Sequence, residues 1–192
     1  MKLSGKKIIL SVTGSIAAYK AVLLLRLLTK EGADVQVLMT PTAKEFVSPV
    51  TFAALSGKPV LSDFFNEAGG DWNSHVEMGV NADLMIIAPV TATTMGKMAG
   101  GIADNLVVTT YLSARCPVVL SPAMDMDMYA HPSTQRNMEI LRADGNHIIE
   151  PAEGDLASGL SGRGRMQEPE AILHYITALP DEKKKSRKKK SP

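Results

Sequence analysis

Residues 6–20 read KKIILSVTGSIAAYK, and their reading decides the fold. The run Lys6–Val12 is apolar from Ile8 onward and reads as a buried strand. Thr13-Gly14-Ser15 makes a turn. From Ile16 to about Lys30 the apolar residues recur at helical spacing, which predicts that Ala18, Leu23, Leu24, Leu27 and Leu28 share one helix face. Gly32 is a natural stop. Outward from this stretch, Asp34–Met39 (DVQVLM) reads as a second strand, rich in β-branched residues. Leu84–Ala88, Pro117–Leu120 and His147–Ile149 read as further strands. Helical patterns fall between them, at about 42–56, 92–99, 104–114, 133–144 and 168–177. Apolar strands alternating with helices predict a parallel sheet covered on both faces. The expected fold is therefore a three-layer, doubly wound α/β domain.

Composition bounds what such a domain does. The chain has 192 residues, 45% of them apolar, enough for one domain with a real core. Its single cysteine, Cys116, excludes a disulfide framework and a cysteine-based zinc site. The four histidines are widely spaced and show no metal-ligand pattern. No apolar run is long enough for a membrane span, and the N-terminus shows no secretory cleavage site, so the expected location is the cytoplasm. The net charge of +1 is lopsided: residues 181–192 hold seven Lys/Arg and two acids, leaving 1–180 acidic overall. An acidic body argues against a nucleic-acid-binding domain. We expect a domain over 1–180 and a basic flexible tail or linker over 181–192.

In an open parallel sheet, ligands sit beyond the carboxyl ends of the strands. That points to loops 13–18, 40–46, 89–94 and 121–129. In T-G-S-I-A-A-Y-K (13–20), a strand meets a helix N-terminus, where free N–H groups and the helix dipole favour a phosphate. Gly14 permits close backbone approach and Ser15 offers a hydroxyl; the plainer reading is a tight turn that needs glycine. G-x-G-x-x-G is absent, and Met39-Thr40-Pro41-Thr42 stands where a ribose-binding acid would end the second strand. A mononucleotide is thus favoured over NAD, with Thr40 and Thr42 as further hydroxyls. A-P-V-T-A-T-T-M (88–95) follows the strongest strand. In P-A-M-D-M-D-M-Y (122–129), the methionines read as packing and Asp125 and Asp127 as solvated loop acids. Four glycines in 154–166 suggest a mobile flap or an ordinary surface loop. His75, in N-S-H-V-E, reads as structural or exposed on its own.

Taken together, these pieces resemble one family, the flavin-containing cysteine decarboxylases, and within it the branch serving coenzyme A biosynthesis. The motifs are G-S-I-A-A-Y-K (14–20), His75 before a strand, A-P-x-x-A-x-T (88–94), G-I-A-D-N-L (101–106), P-x-M-x-x-x-M-Y (122–129) and G-R-G-R-M (162–166). The resemblance implies a flavodoxin-like fold, FMN at a subunit interface, and assembly as homotrimers or dodecamers. It implies decarboxylation of 4′-phosphopantothenoylcysteine to 4′-phosphopantetheine. FMN oxidises the thiol to a thioaldehyde, CO₂ leaves, and the enethiol is re-reduced. It places Gly14, Ser15, Ile16 and Ala17 on the FMN phosphate, with Thr40 and Thr42 nearby, and Ala88, Pro89, Thr91 and Thr94 on the flavin. His75 falls on the family's active-site histidine, and an imidazole suits a base working near neutrality. Met124, Met128, Ala157 and Gly159 fall on substrate-binding positions.

Two departures stand out. The family's P-x-M-N-x-x-M-W has Asp125 for its Asn and Tyr129 for its Trp. That Asn binds the substrate carboxylate; an ionised Asp125 repels it, so Asp125 works either protonated or by helping to expel CO₂. The flap's A-C-G is Ala157-Ser158-Gly159 here, so Ser158 replaces a cysteine proton donor with a weaker acid. The same fold also serves peptidyl-cysteine decarboxylases, flavin prenyltransferases and FMN-binding regulatory subunits. In many bacteria the decarboxylase is fused, through a C-terminal linker, to the ligase that joins cysteine to phosphopantothenate, so 181–192 is expected to be that linker.

Overall fold

A computed structural model describes residues 1–65 and 72–180. Five strands pair in parallel: β1 (Lys7–Val12), β2 (Asp34–Met39), β3 (Leu84–Val90), β4 (Val118–Pro122) and β5 (His147–Ile148), in the order β2-β1-β3-β4-β5. This is the flavodoxin-like order, and its direction of winding reverses between β1 and β3. The described helices are α1 (Ala18–Lys30), α2 (Pro49–Ser56), α3 (His75–Asn81), α4 (Ala92–Gly100), α5 (Leu106–Ser113), α6 (Met126–Ala130), α7 (Pro132–Ala143) and α8 (Pro169–Ala178). An antiparallel hairpin, β6 (Ala152–Asp155) with β7 (Ser161–Arg165), stands apart from the sheet.

Alternation along the strands builds two cores. Ile8, Leu10 and Val12 of β1 and Ile86 and Ala88 of β3 pack with α1, α2 and α8 on one face. Ile9 of β1 and Met85 and Ile87 of β3 pack with α4, α5 and α7 on the other. Successive side chains point to opposite faces of a strand, so strands that are apolar throughout need cover on both sides. The three-layer expectation is met.

The elements differ from the sequence reading in instructive places. Helix α1 begins at Ala18, not Ile16, and its buried face is Ala18, Ala21, Leu24, Leu25 and Leu28. Leu23 lies outside it, exposed beside Ile16 and Tyr19. The expected helix over 42–56 is two pieces, a short 3-10 turn (Pro41–Glu45) and α2. Pro49 forces the break: it pushes Ser48 to an extended conformation, and the Ser48 hydroxyl then caps α2 by accepting from Val50 N. Segment 154–166, expected as a flap or loop, is largely the β6–β7 hairpin. Among the described residues, no helix is long and apolar enough to cross a membrane. The tail, 181–192, lies outside the described residues.

Candidate functional site

The ends of β1 and β3, on either side of the winding reversal, open into a cavity of about 900 Å³, a size that takes a nucleotide-sized ligand. At one end is the β1–α1 turn. Helix α1 starts without a side-chain cap; at its first turn Ala18 N donates to Ser15 O (2.9 Å) and Lys20 N to Ala17 O (2.9 Å). Gly14 sits so close to Thr42 that a Cβ there would lie 2.6 Å from Thr42 Cγ2. Ser15 Oγ accepts from Ala17 N at 3.3 Å. Thr40 is 8% exposed, and its Oγ1 is buried with no protein partner. A buried hydroxyl left unpaired beside a cavity fits a bound polar group. Together these features fit a phosphate-bearing cofactor.

The second wall is the β3–α4 turn. Thr13 Oγ1 donates to Pro89 O (2.8 Å) and accepts from Thr91 N (3.1 Å), which locks the first and second turns together. Thr91 caps α4 by accepting from Thr94 N (3.3 Å) and donates its own hydroxyl to Thr94 Oγ1 (3.2 Å). Ala88 and Pro89 are fully buried in β3 and support this turn from below without lining the cavity.

The far wall brings the two departures into contact. Asp125 caps α6, its Oδ1 accepting from Asp127 N at 3.3 Å, while Ser158 Oγ donates to its Oδ2 at 2.5 Å. The hairpin carrying Ser158 is docked, not free. Met124 N donates to Gly164 O (3.1 Å), and a Cβ on Gly164 would lie 2.2 Å from Met124 O. Buried Lys20 holds the hairpin's exit by donating to Met166 O (2.9 Å) and Glu168 Oε1 (2.8 Å). Met124, Met128 and Ala157 line this end; Gly159 sits at the hairpin tip, outside the lining, with a φ of +84°. At the place of the expected Trp, Tyr129 is buried, and its hydroxyl donates to Glu150 Oε2 (2.5 Å). Burial, then the Glu150 carboxylate, push this phenol up to about 12.

His75 is the exception. It starts α3, away from this cavity, with its ring against Phe64 (6.2 Å) and Trp72 (5.5 Å) and its Nδ1 buried without a hydrogen-bond partner. Around it Phe65, Trp72, Val76 and Leu112 are exposed.

Several lining residues were given no role from sequence. Lys97 and Asp104 pair at 2.5 Å, and the Lys97 ammonium holds the Asp104 carboxyl below its usual range. Asn105 Nδ2 donates to Asp104 Oδ1 (2.8 Å), and its Oδ1 caps α5. The G-I-A-D-N-L motif was the signal for both. Asp155 and Arg165 carried only the glycine-rich pattern of their hairpin.

The family described as Flavoprotein matches residues 1–180. A cysteine/cysteine sulfinic acid decarboxylase from an unknown prokaryotic organism is 59% identical over 72% of this chain and 38% of its own length. The coenzyme A biosynthesis bifunctional protein CoaBC of Bacillus subtilis is 47% identical over 89% of this chain and 42% of its own. The chain thus spans about four-tenths of the length of these relatives. Among solved structures, a PPC decarboxylase mutant complexed with pantothenoylaminoethenethiol superposes with a TM-score of 0.81 at 31% identity, covering 90% of this chain and 96% of that one. The FMN-dependent cysteine decarboxylase SpaF gives a TM-score of 0.76 at 31% identity, over 92% and 99%.

Proposed function

Because this chain belongs to the flavoprotein family, among its decarboxylases, and its cofactor is FMN, we propose that it removes CO₂ from a cysteine-type thiol acid. The first substrate is 4′-phosphopantothenoylcysteine, giving 4′-phosphopantetheine in the cytoplasm. The observation that carries this reading is the meeting in one cavity of a phosphate-ready turn and the Asp125–Ser158 pair. FMN, when bound, would supply reversible two-electron chemistry at the thiol-bearing carbon. The chain's own groups do the rest. Gly14, Ser15, Ile16, Ala17, Thr40 and Thr42 hold the phosphate, and Thr91 and Thr94 fix the turn over Ala88 and Pro89 against which the flavin lies. Met124, Met128 and Ala157, with Gly159 at the turn, border the thiol acid. Asp125 faces its charged end, and Ser158 orients Asp125 by donating a hydrogen bond to it.

His75 fits this reading if the protein is a ring of identical subunits. Its surroundings are apolar and exposed, and so is a stripe at the cavity's mouth made by Ile16, Tyr19 and Leu23. Docking one face on the other in successive copies closes a ring, a trimer in the simplest case or trimers packed into a dodecamer, and brings His75 to a neighbour's cavity as the base for the thiol. The CoaBC relatives are bifunctional, which supports a ligase domain in the full-length protein, with 181–192 as the linker.

A second reading is supported by the 59% identical relative, named for cysteine and cysteine sulfinic acid: the substrate is cysteine itself. One assay tests both. FMN-loaded protein is mixed with 4′-phosphopantothenoylcysteine or with L-cysteine, and the products are weighed by mass spectrometry. Loss of CO₂ alone is the expected result; loss of CO₂ and two hydrogens marks a reaction stopped before re-reduction. No mass change with either substrate overturns the decarboxylase reading and leaves an FMN-binding regulatory subunit.

A further inference from the structure

Beside the carbons that react, the two substrates differ at the α-nitrogen. In cysteine the α-nitrogen is an ammonium; in an N-acyl cysteine it is a neutral amide. The cavity's charges respond to that difference. Its cations are already matched, though not one to one: Lys97 with Asp104 at 2.5 Å, and Lys20 and Arg165 sharing Glu168 at 2.8 and 3.6 Å. Asp125 is not. Its two oxygens accept from a serine hydroxyl and a backbone N–H, both neutral, and among the described residues no cation pairs with it. Neutral donors fix the direction of a carboxylate without cancelling its charge. The charge of Asp125 therefore remains to be met by whatever enters the cavity.

We infer that Asp125 is the counter-ion for a free α-ammonium group, the residue that weights this site toward α-amino acids of the cysteine type over N-acyl cysteines, and so toward the second of the two proposed substrates rather than the first. A substrate carboxylate placed against Asp125 meets a like charge, and half out of water that repulsion is stronger than in bulk solvent. In a free amino acid an ammonium shares the same α-carbon and offsets it. In an N-acyl substrate nothing does. An asparagine at this position removes the repulsion and the attraction together, so the side chain at 125 sets the ratio between the two classes. Ser158 contributes by holding the carboxylate toward the cavity.

This inference rests on the decarboxylase reading, and its test is a binding measurement on thiol-free probes, so the two fail separately. L-serine and N-acetyl-L-serine are titrated into the FMN-loaded protein by calorimetry. L-serine is expected to bind the more tightly. Asp125→Asn keeps the α6 cap, since Asn and Asp cap equally well, and is expected to shift the ratio of the two dissociation constants toward the acetylated probe by at least about tenfold, a modest value for a like-charge contact. Asp155→Asn removes the same unit of charge from the cavity's lining and is expected to leave the ratio nearly unchanged. The inference is overturned if the wild type prefers N-acetyl-L-serine, if L-serine does not bind at any soluble concentration, if Asp125→Asn leaves the ratio in place, or if Asp155→Asn shifts it as far. If neither cysteine nor an N-acyl cysteine loses CO₂ while the serine ratio shifts as expected, the reaction assignment fails and the role of Asp125 stands.

Discussion

Gly14 and Tyr129 show how single positions answer to different forces. At Gly14 the constraint is space, since a Cβ would lie 2.6 Å from Thr42 Cγ2 and 2.7 Å from Thr42 Cβ. Real atoms do not approach so closely, so Gly14→Ala must push the 40–46 segment outward. Overpacking of this kind costs roughly 1–3 kcal/mol, and here it falls on the proposed phosphate turn. The variant is expected to fold with a lower melting temperature and to retain little FMN after dialysis; full flavin absorbance would show that the turn does not hold the phosphate. At Tyr129 the force is electrostatic. Its folded-state value, about 12, lies above the ordinary 10.0, so the fold holds the phenolic proton more tightly than the unfolded chain does. That contribution to stability is fully present below pH 10 and fades as pH rises through about 12. Tyr129→Phe is expected to show a smaller loss of stability than the wild type across that window in denaturant titrations. Equal losses would mean that burial and the Glu150 contact do not hold the proton.

At the scale of elements, the sheet was legible because its strands are apolar throughout, and burial on two faces leaves no other pattern. The tight β1–α1 turn was legible from Gly14, on which, with the Thr40–Thr42 pair, the proposed phosphate role rests. Short elements were not. Helix α3 has seven residues, fewer than two repeats of a helical pattern, so periodicity could not find it. The cap did mark it: Ser74 Oγ accepts from Glu77 N at 3.2 Å, the spacing of a capping box. The β6–β7 hairpin was hidden because Gly154, Gly162 and Gly164 leave no alternating pattern to read. Their absent side chains serve its docking, which Gly162 and Gly164 make against Met126 and Met124. Nor did sequence show that the two departures, at 125 and 158, are one contact; 33 positions separate them. Lys20 gives a test of the hairpin's attachment. Lys20→Met leaves the Met166 carbonyl without its buried donor, a loss of about 1–3 kcal/mol. Amide exchange should quicken across 152–165 and stay unchanged in β1 and β3. Uniform quickening would mean that Lys20 supports the whole core instead.

For the whole molecule, the question is where His75 acts. In one chain it is apart from the cavity, whereas the proposed ring contact would place it beside a neighbour's. If so, two defective chains complement each other. Co-expressed His75→Asn and Gly14→Ala chains should recover part of the activity that each lacks alone, because some interfaces then combine an intact histidine with an intact turn. Failure to recover, with mixed oligomers demonstrated by mass spectrometry, would place His75 outside the reaction. Leu23→Glu tests the same contact from the other side. Leu23 is 49% exposed in the single chain, so the change should leave the fold intact while shifting the sedimentation coefficient toward that of a monomer.

The Lys20 tie has one more consequence, in time. Its partners, Met166 and Glu168, lie 146 and 148 positions further along the chain. Closing so long a loop costs entropy before any contact repays it, and during synthesis the N-terminal part emerges first. The turn at Gly14 and the strands that flank it can therefore assemble while the hairpin has yet to be made. That order of synthesis allows a stage in which the proposed phosphate end of the cavity is formed and the β6–β7 hairpin at its far wall is missing. A cofactor arriving then would meet an open doorway that the hairpin, translated later, narrows.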